Sequence, residues 1–256
     1  MTPTPPVNAW ILDPVSSAIL FVGEEAKIGG LLQRALVHIE NGRPLLELAE
    51  RVLAAAGKME GAKGLRTLIE SAPIRERWAA DLRNSDYAPL NAHSLVAIWG
   101  AFETAVEDTI KAVLANDPSA VATIIVAGAK VSTAKIANPV TEHSLRYLYR
   151  NLQDAVGVDY DSVQTAENML HVFRLTAIPP RHKSTLLSAN SIRNAIAHRG
   201  GYIDEKAVRQ APALASLLGT TCVVTRADYL KYHEAISAAL IALLGSITSS
   251  RYVATI

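Results

Sequence analysis

A chain of 256 residues that is half hydrophobic but only 5% aromatic must fill its interior with Ala, Leu, Val and Ile, a composition that favours helices over strands. A formal charge of +1 gives no general attraction to nucleic acid or anionic membrane, so any polyanion site must come from a local cluster. A single cysteine, Cys222, excludes an intrachain disulfide and a cysteine-based metal cluster and fits a reducing, cytoplasmic setting.

The opening MTPTPPVNAW lacks the basic and apolar regions of a secretion signal and reads as an irregular Pro-rich tail. Val15 to about Ile39 has a helical pattern that Gly23, Gly29 and Gly30 weaken or break. Asn41-Gly42-Arg43-Pro44 is a turn. Short amphipathic helices are expected over Leu45–Ala56 and Lys63–Ser71, then a break at Ala72-Pro73 and a further piece over Arg75–Arg83, closed by Asn84-Ser85-Asp86. Residues 1–85 therefore read as an N-terminal helical segment without a chemical motif.

From about His93 to Asn116 the apolar residues Leu95, Ile98, Trp99, Phe102, Val106, Ile110 and Val113 recur every three or four positions and form one face of a long helix. Asp117-Pro118 ends it and opens the next, to about Lys130. A turn is expected at Asn138-Pro139, then helices over Thr141–Val156, with Arg146 and Arg150, and Thr165–Thr176, stopped by Pro179-Pro180. Ser184 is placed to cap the following helix. Thr221–Thr225 reads as a short extended piece, and Thr225-x-x-Asp228 as a capping-box-like start to a last helix, Tyr229 to about Ser249. The apolar runs Ala120–Ala129 and Ile236–Ile247 are too short to span a bilayer, which takes about 20 residues. The expected fold class is all-α, a helical bundle with additional N-terminal helices and at most a short extended segment near the C-terminal helix.

The chemistry gathers at SIRNAIAHRGG, Ser191–Gly201, the last turns of a helix stopped by two glycines. On a helical wheel Arg193 lies within the apolar stripe of Leu186, Ala189, Ile196 and Ala197, and an inward guanidinium is costly without an acceptor. Glu103, four residues after Trp99 and three before Val106, is a carboxylate equally close to an apolar stripe, whereas Glu107 and Lys111 drift outward. Pairing Glu103 with Arg193 resolves both costs. Asn190, Asn194 and His198, four residues apart, put amides and an imidazole on one edge beside the arginine. From Gln164 to Gly201 five basic residues (Arg174, Arg181, Lys183, Arg193, Arg199) face one acid, Glu167, a local excess suited to a phosphate-bearing ligand.

The spacing Arg-x4-His is by itself close to chance, and Arg226-x6-His233 is a looser copy without the adjacent Asn or the glycine stop. With Asn194 after Arg193, His198, then Gly200-Gly201-x-Ile203-Asp204, Pro212, Gly219 and a Tyr-bearing final helix (Tyr229, Tyr232), the stretch resembles the HEPN family (higher eukaryote and prokaryote nucleotide-binding domain). The likeness covers about residues 86–256, which read as a HEPN-like helical domain. It implies a bundle that often dimerises with the Arg–His helices of two protomers facing each other, and in many members a metal-independent endoribonuclease, some of them toxins paired with an antitoxin or acting in defence. Others are non-catalytic binding modules.

RNA transesterification needs a base for the 2′-hydroxyl, an acid for the leaving 5′-oxygen and a cation for the phosphorane. A histidine can serve as either base or acid. His198 is thus assigned proton transfer, Arg193 the phosphate charge, Asn194 the orientation of either, Glu103 the support of Arg193, and Arg199 and Asn190 contact with the substrate. A two-fold homodimer supplies a second His198. RNA is the expected partner, with an antitoxin protein in such a system and no membrane; no cofactor and no metal is expected.

The other polar groupings have plainer readings. His171 and His182 read as surface histidines, Asp159-x-Asp161 as a solvated loop, His38-x-Glu40 as lacking a third ligand, and Trp99, Phe102 and Phe173 as core. The rival to the enzyme is a non-catalytic RNA- or nucleotide-binding module, or a helical protein-interaction domain.

Overall fold

The computed structural model describes residues 9–132, 136, 141–158 and 161–253. The Pro-rich start, the Asn138-Pro139 turn and Asp159 lie outside them. The fold is all-α. The described residues contain ten α-helices: α1 (Ala9–Asn41), α2 (Arg43–Ala55), α3 (Met59–Asn84), α4 (Ala88–Asn116), α5 (Ala120–Val126), α6 (Glu142–Val156), α7 (Ser162–Val172), α8 (Lys183–Arg199), α9 (Glu205–Gln210) and α10 (Arg226–Thr248). Short 3-10 turns, Pro180–His182 and Pro212–Leu217, precede α8 and follow α9. Among the described residues the only β feature is an isolated antiparallel bridge between Tyr202 and Thr221.

The contacts group the chain into two compact units. The first comprises Met1–Glu24, Leu95–Cys222 and Leu230–Ile256; the second comprises Glu25–Ser94 and Val223–Tyr229.

In the second unit α2 packs against α3, and Leu36, Ala79 and Leu82 form a small core flanked by Tyr87 and Leu90. The three glycines of α1 do not break it: a glycine costs a helix interior about 1 kcal/mol, which a 33-residue helix absorbs. Nor does Pro73 end a helix. α3 runs through it, and side chains take up carbonyls of the preceding turn, with the Arg75 guanidinium on the Leu68 carbonyl at 2.6 Å and the Ser71 hydroxyl on those of Thr67 and Leu68. The proline removes the donor that would have met the Ile69 carbonyl, and the side-chain bonds fall on the neighbouring carbonyls of Thr67 and Leu68. The Thr225–Asp228 box forms as expected: the Asp228 N–H donates to Thr225 Oγ1 at 3.1 Å while the Thr225 N–H donates back to Asp228 Oδ2 at 3.2 Å. Large apolar side chains remain exposed in this unit, among them Leu31 at 59%, Leu45 at 70% and Ile74 at 77%.

In the first unit the α4 face is the backbone of the core. Leu95, Ile98, Trp99, Phe102, Val106, Ile110 and Val113 are all buried, as is Phe173. The described α10 is long and apolar enough to cross a membrane; its Ile236, Ala239, Leu240, Leu243 and Ile247 are buried against protein. α7 begins three residues before its expected start because Asp161 caps it, accepting from the Gln164 N–H at 2.9 Å. It stops at Val172, well short of Pro179, where Arg174 takes a left-handed φ of 60°. Ser184 does not cap α8 but lies in its first turn, behind the Pro180–His182 turn. His182 is buried rather than on the surface, its Nε2 accepting from Arg181 Nε at 3.1 Å.

Candidate functional site at the end of α8

α8 ends as its sequence dictates. Gly200 is left-handed (φ 58°), Gly201 follows at φ 87°, and the Gly201 N–H closes the helix on the Ala195 carbonyl at 2.9 Å, a stop that glycine adopts without steric penalty. A Cβ on Gly201 would stand 3.1 Å from Thr221 Cγ2. This close approach lets the chain turn into the Tyr202–Thr221 bridge, where the Cys222 N–H donates to the Gly201 carbonyl at 2.9 Å.

Burial along α8 changes down the axis more than around it. Leu186, Ser188, Ala189, Asn190, Ser191, Ile192 and Ala195 are buried, and these positions surround most of the helix. From Ala197 onward every residue of the last turn is exposed. The expected stripe therefore needs correcting: Ala197 is exposed and Ile196 only half-buried, and Arg193 is half-buried where the enclosed middle gives way to the open end.

At that transition the side chains form a relay. Arg193 Nη2 donates to Glu103 Oε2 of α4, the pairing expected of two inward charges. Arg193 Nη1 donates to Asn194 Oδ1 at 2.8 Å, and Asn194 Nδ2 donates to Asn190 Oδ1 at 3.2 Å. Asn190 is only 2% exposed, so its amide acts through Asn194 rather than by touching a substrate. His198, one turn on, is exposed, and its imidazole has no hydrogen-bond partner among the described residues. Arg199 is held by Asp204 at 2.7 Å. Asp204 also caps α9, accepting from the Ala207 N–H at 2.9 Å. That backbone bond, with the Arg199 charge, holds its carboxyl below the usual carboxylate range.

The local basic excess is largely offset in space. Lys183 pairs with Glu167 at 2.8 Å, Arg199 with Asp204, and Arg193 with Glu103. Only Arg174 and Arg181 of the five cations lack an acid partner among the described residues.

The sequence reading missed the far side of Glu103. This carboxylate also lines a cavity of about 250 Å³ with Trp99, Phe102, Glu107, Tyr149 and Ser162. Glu107 accepts from Lys111 Nζ at 2.9 Å, and Lys111 bonds Glu142 of α6 at the same distance. Burial, with the carboxylates of Glu107, Glu103 and Asp108, raises the Tyr149 phenol and keeps it protonated. The available signal was the pair Glu103 and Glu107, one turn apart beside an indole that has an N–H to satisfy. Among the plainer groupings, Glu40 is tied to Arg83 at 2.7 Å and Asp161 is the α7 cap.

Comparison with family models, curated proteins and solved structures returned no match for this chain.

Proposed function

We propose that this chain is a metal-independent endoribonuclease of the HEPN kind, working as a cytoplasmic homodimer. The observation that supports the reading is the Glu103–Arg193–Asn194–Asn190 relay one turn before an exposed His198. An arginine held from two sides keeps its orientation toward a phosphate, and a preorganised cation acts without reorganising as charge develops. In the reaction one His198 takes the proton of the ribose 2′-hydroxyl. The 2′-oxygen attacks phosphorus, Arg193 carries the charge of the phosphorane, and the 5′-oxygen leaves with a proton from the second protomer's His198. A 2′,3′-cyclic phosphate remains. The family likeness supplies the setting of a toxin with its antitoxin, or of a defence system.

One observation favours the rival, a non-catalytic RNA- or nucleotide-binding or protein-interaction module. The cations Arg193 and Arg199 are already paired with acids, and no hydrogen bond from a described residue orients the His198 ring. The two readings separate in one experiment. Varied RNAs are incubated with wild type and His198→Ala in the presence of EDTA, and products are resolved by length and end group. The enzyme reading expects cyclic-phosphate ends from wild type and their loss from the variant, whose melting temperature stays unchanged because the side chain is exposed. Equal cleavage by both, or none from a folded wild-type dimer, overturns it.

A further inference from the structure

The second unit holds a cavity whose polar lining consists of hydrogen-bond donors. It measures about 400 Å³ and is lined by Gly30, Gln33, Arg34 and Val37 of α1, by Tyr87 of the turn before α4, and by Arg226 at the start of α10. No acid is among these residues. Arg34 and the Tyr87 hydroxyl have no hydrogen-bond or ion-pair partner among the described residues. Arg226 Nη1 donates to Gln33 Oε1 at 2.8 Å. That bond uses the acceptor of the Gln33 amide and leaves its NH₂ group, with the remaining N–H groups of Arg226, to donate into the cavity. A Cβ on Gly30 would meet nothing within 4 Å, so the space beside the two arginines is open.

Other arginines of the unit are matched to acids: Arg43 to Glu47, Arg66 to Glu50 and Arg83 to Glu40. Arg34 and Arg226 instead share one cavity without a counter-charge, an arrangement that repels itself until an anion enters. The fold holds the lining in place. The Arg226 backbone N–H donates to Asp86 Oδ2 at 2.7 Å. Asp86 and Tyr87 are both left-handed, with φ of 52° and 57°, a conformation that a Cβ disfavours. The turn is kept there by the Tyr87 N–H on the Leu82 carbonyl and by Asn91 Nδ2 on the Asp86 carbonyl, each at 2.8 Å. The Tyr87 side chain packs on the Leu36–Ala79–Leu82 core, so it meets the cavity from a fixed position.

Two guanidiniums neutralise two charges, and each can give a pair of N–H bonds to the oxygens of one group. A phosphate monoester carries about −1.5 to −2 at neutral pH and offers three acceptor oxygens, whereas a diester carries a single charge. The phosphate fills only part of a space that lies within the roughly 300–1,000 Å³ of small-molecule sites, and Val37 and the Tyr87 ring give the organic part of an ester an apolar surface. We propose that this cavity binds a phosphate monoester, its phosphate held by Arg34 and Arg226 and completed by the Gln33 amide and the Tyr87 hydroxyl. The site lies within the second unit and does not rest on the ribonuclease reading.

Titration calorimetry on the full chain tests it, at about 0.15 M salt, where exposed charges more than about 8 Å apart are largely screened. The probes are phenyl phosphate, its singly charged diester methyl phenyl phosphate, and inorganic phosphate. Phenyl phosphate is expected to bind saturably, and the diester about tenfold or more weakly, the loss of about one charged hydrogen bond. Inorganic phosphate should bind more weakly than the ester; equal affinity overturns the ester and leaves a site for free phosphate. Arg34→Gln and Arg226→Gln should each weaken phenyl phosphate about tenfold or more. Arg34 is exposed and without a partner, so its variant keeps the wild-type melting temperature and reports on binding even where the Arg226 variant fails to fold. Arg77→Gln, an exposed arginine outside the cavity, should bind like wild type. Arginine stays charged while the ester loses its second charge near pH 6, so affinity should fall about tenfold between about pH 7.5 and pH 5. No binding of phenyl phosphate, affinity untouched by Arg34→Gln, an equal loss in Arg77→Gln, or a diester bound as tightly as the monoester overturns the proposal.

Discussion

Arg193 has two acceptors of different kinds, a carboxylate from another helix and the amide of its own neighbour. The pair is neither surface nor core: the arginine side chain is 21% exposed and the glutamate 39%. Exposed pairs contribute about 0–1 kcal/mol, and breaking a buried one costs about 3–5. Glu103→Gln is therefore expected to lower stability by about 1 kcal/mol, read from the midpoint of urea unfolding at unchanged slope. A loss above about 3 kcal/mol would mean that the pair behaves as fully buried. The pairing itself was legible in the sequence, because two charges facing inward on different helices need each other whatever the details of packing. The burial of Asn190 was not legible. A helical wheel sorts residues by angle, and α8 sorts them by depth.

The stop after α8 carries a sharper expectation. Gly200 and Gly201 both have positive φ, but a Cβ on Gly200 meets open space and one on Gly201 meets Thr221. A left-handed non-glycine residue costs about 1–2 kcal/mol. Gly200→Ala should lose about that much, and Gly201→Ala more, because Thr221 must also move. Thermal unfolding of the two variants side by side checks the order, and equal losses would refute the role given to the close approach. At this scale the long helices were readable from periodicity, and the Thr225 box from its spacing. The ends of α7 and the continuity of α3 through Pro73 were not. A cap such as Asp161 competes with other polar residues nearby, and whether a helix carries on through a proline depends on its surroundings in space, which a one-dimensional pattern does not encode.

On the scale of the whole molecule, three of the five cations of residues 164–201 are held by the chain's own acids. The excess counted along residues 164–201 is reduced in space by Glu103, Glu167 and Asp204, two of which lie outside that stretch, and no count along the chain finds them. If RNA engages only Arg174 and Arg181, the two cations of that stretch without an acid partner among the described residues, its affinity should fall with salt at a slope of about −1.4 on logarithmic axes, at roughly −0.7 per neutralised phosphate on a single strand. Fluorescence anisotropy across a salt series measures it, and a slope steeper than about −3 would show that the ion pairs open on binding. A linear reading also divides a chain at single points, whereas the contacts here gather residues 223–229 with residues 25–94. The exposed apolar side chains of that second unit, Leu31, Leu45 and Ile74 among them, have a colloidal consequence. With a sequence pI of about 7.9, copies at neutral pH carry little mutual repulsion to keep such surfaces apart. Dilution, pH and ionic strength are therefore variables of the protein's state, and a stability or rate measured at one concentration belongs to that concentration.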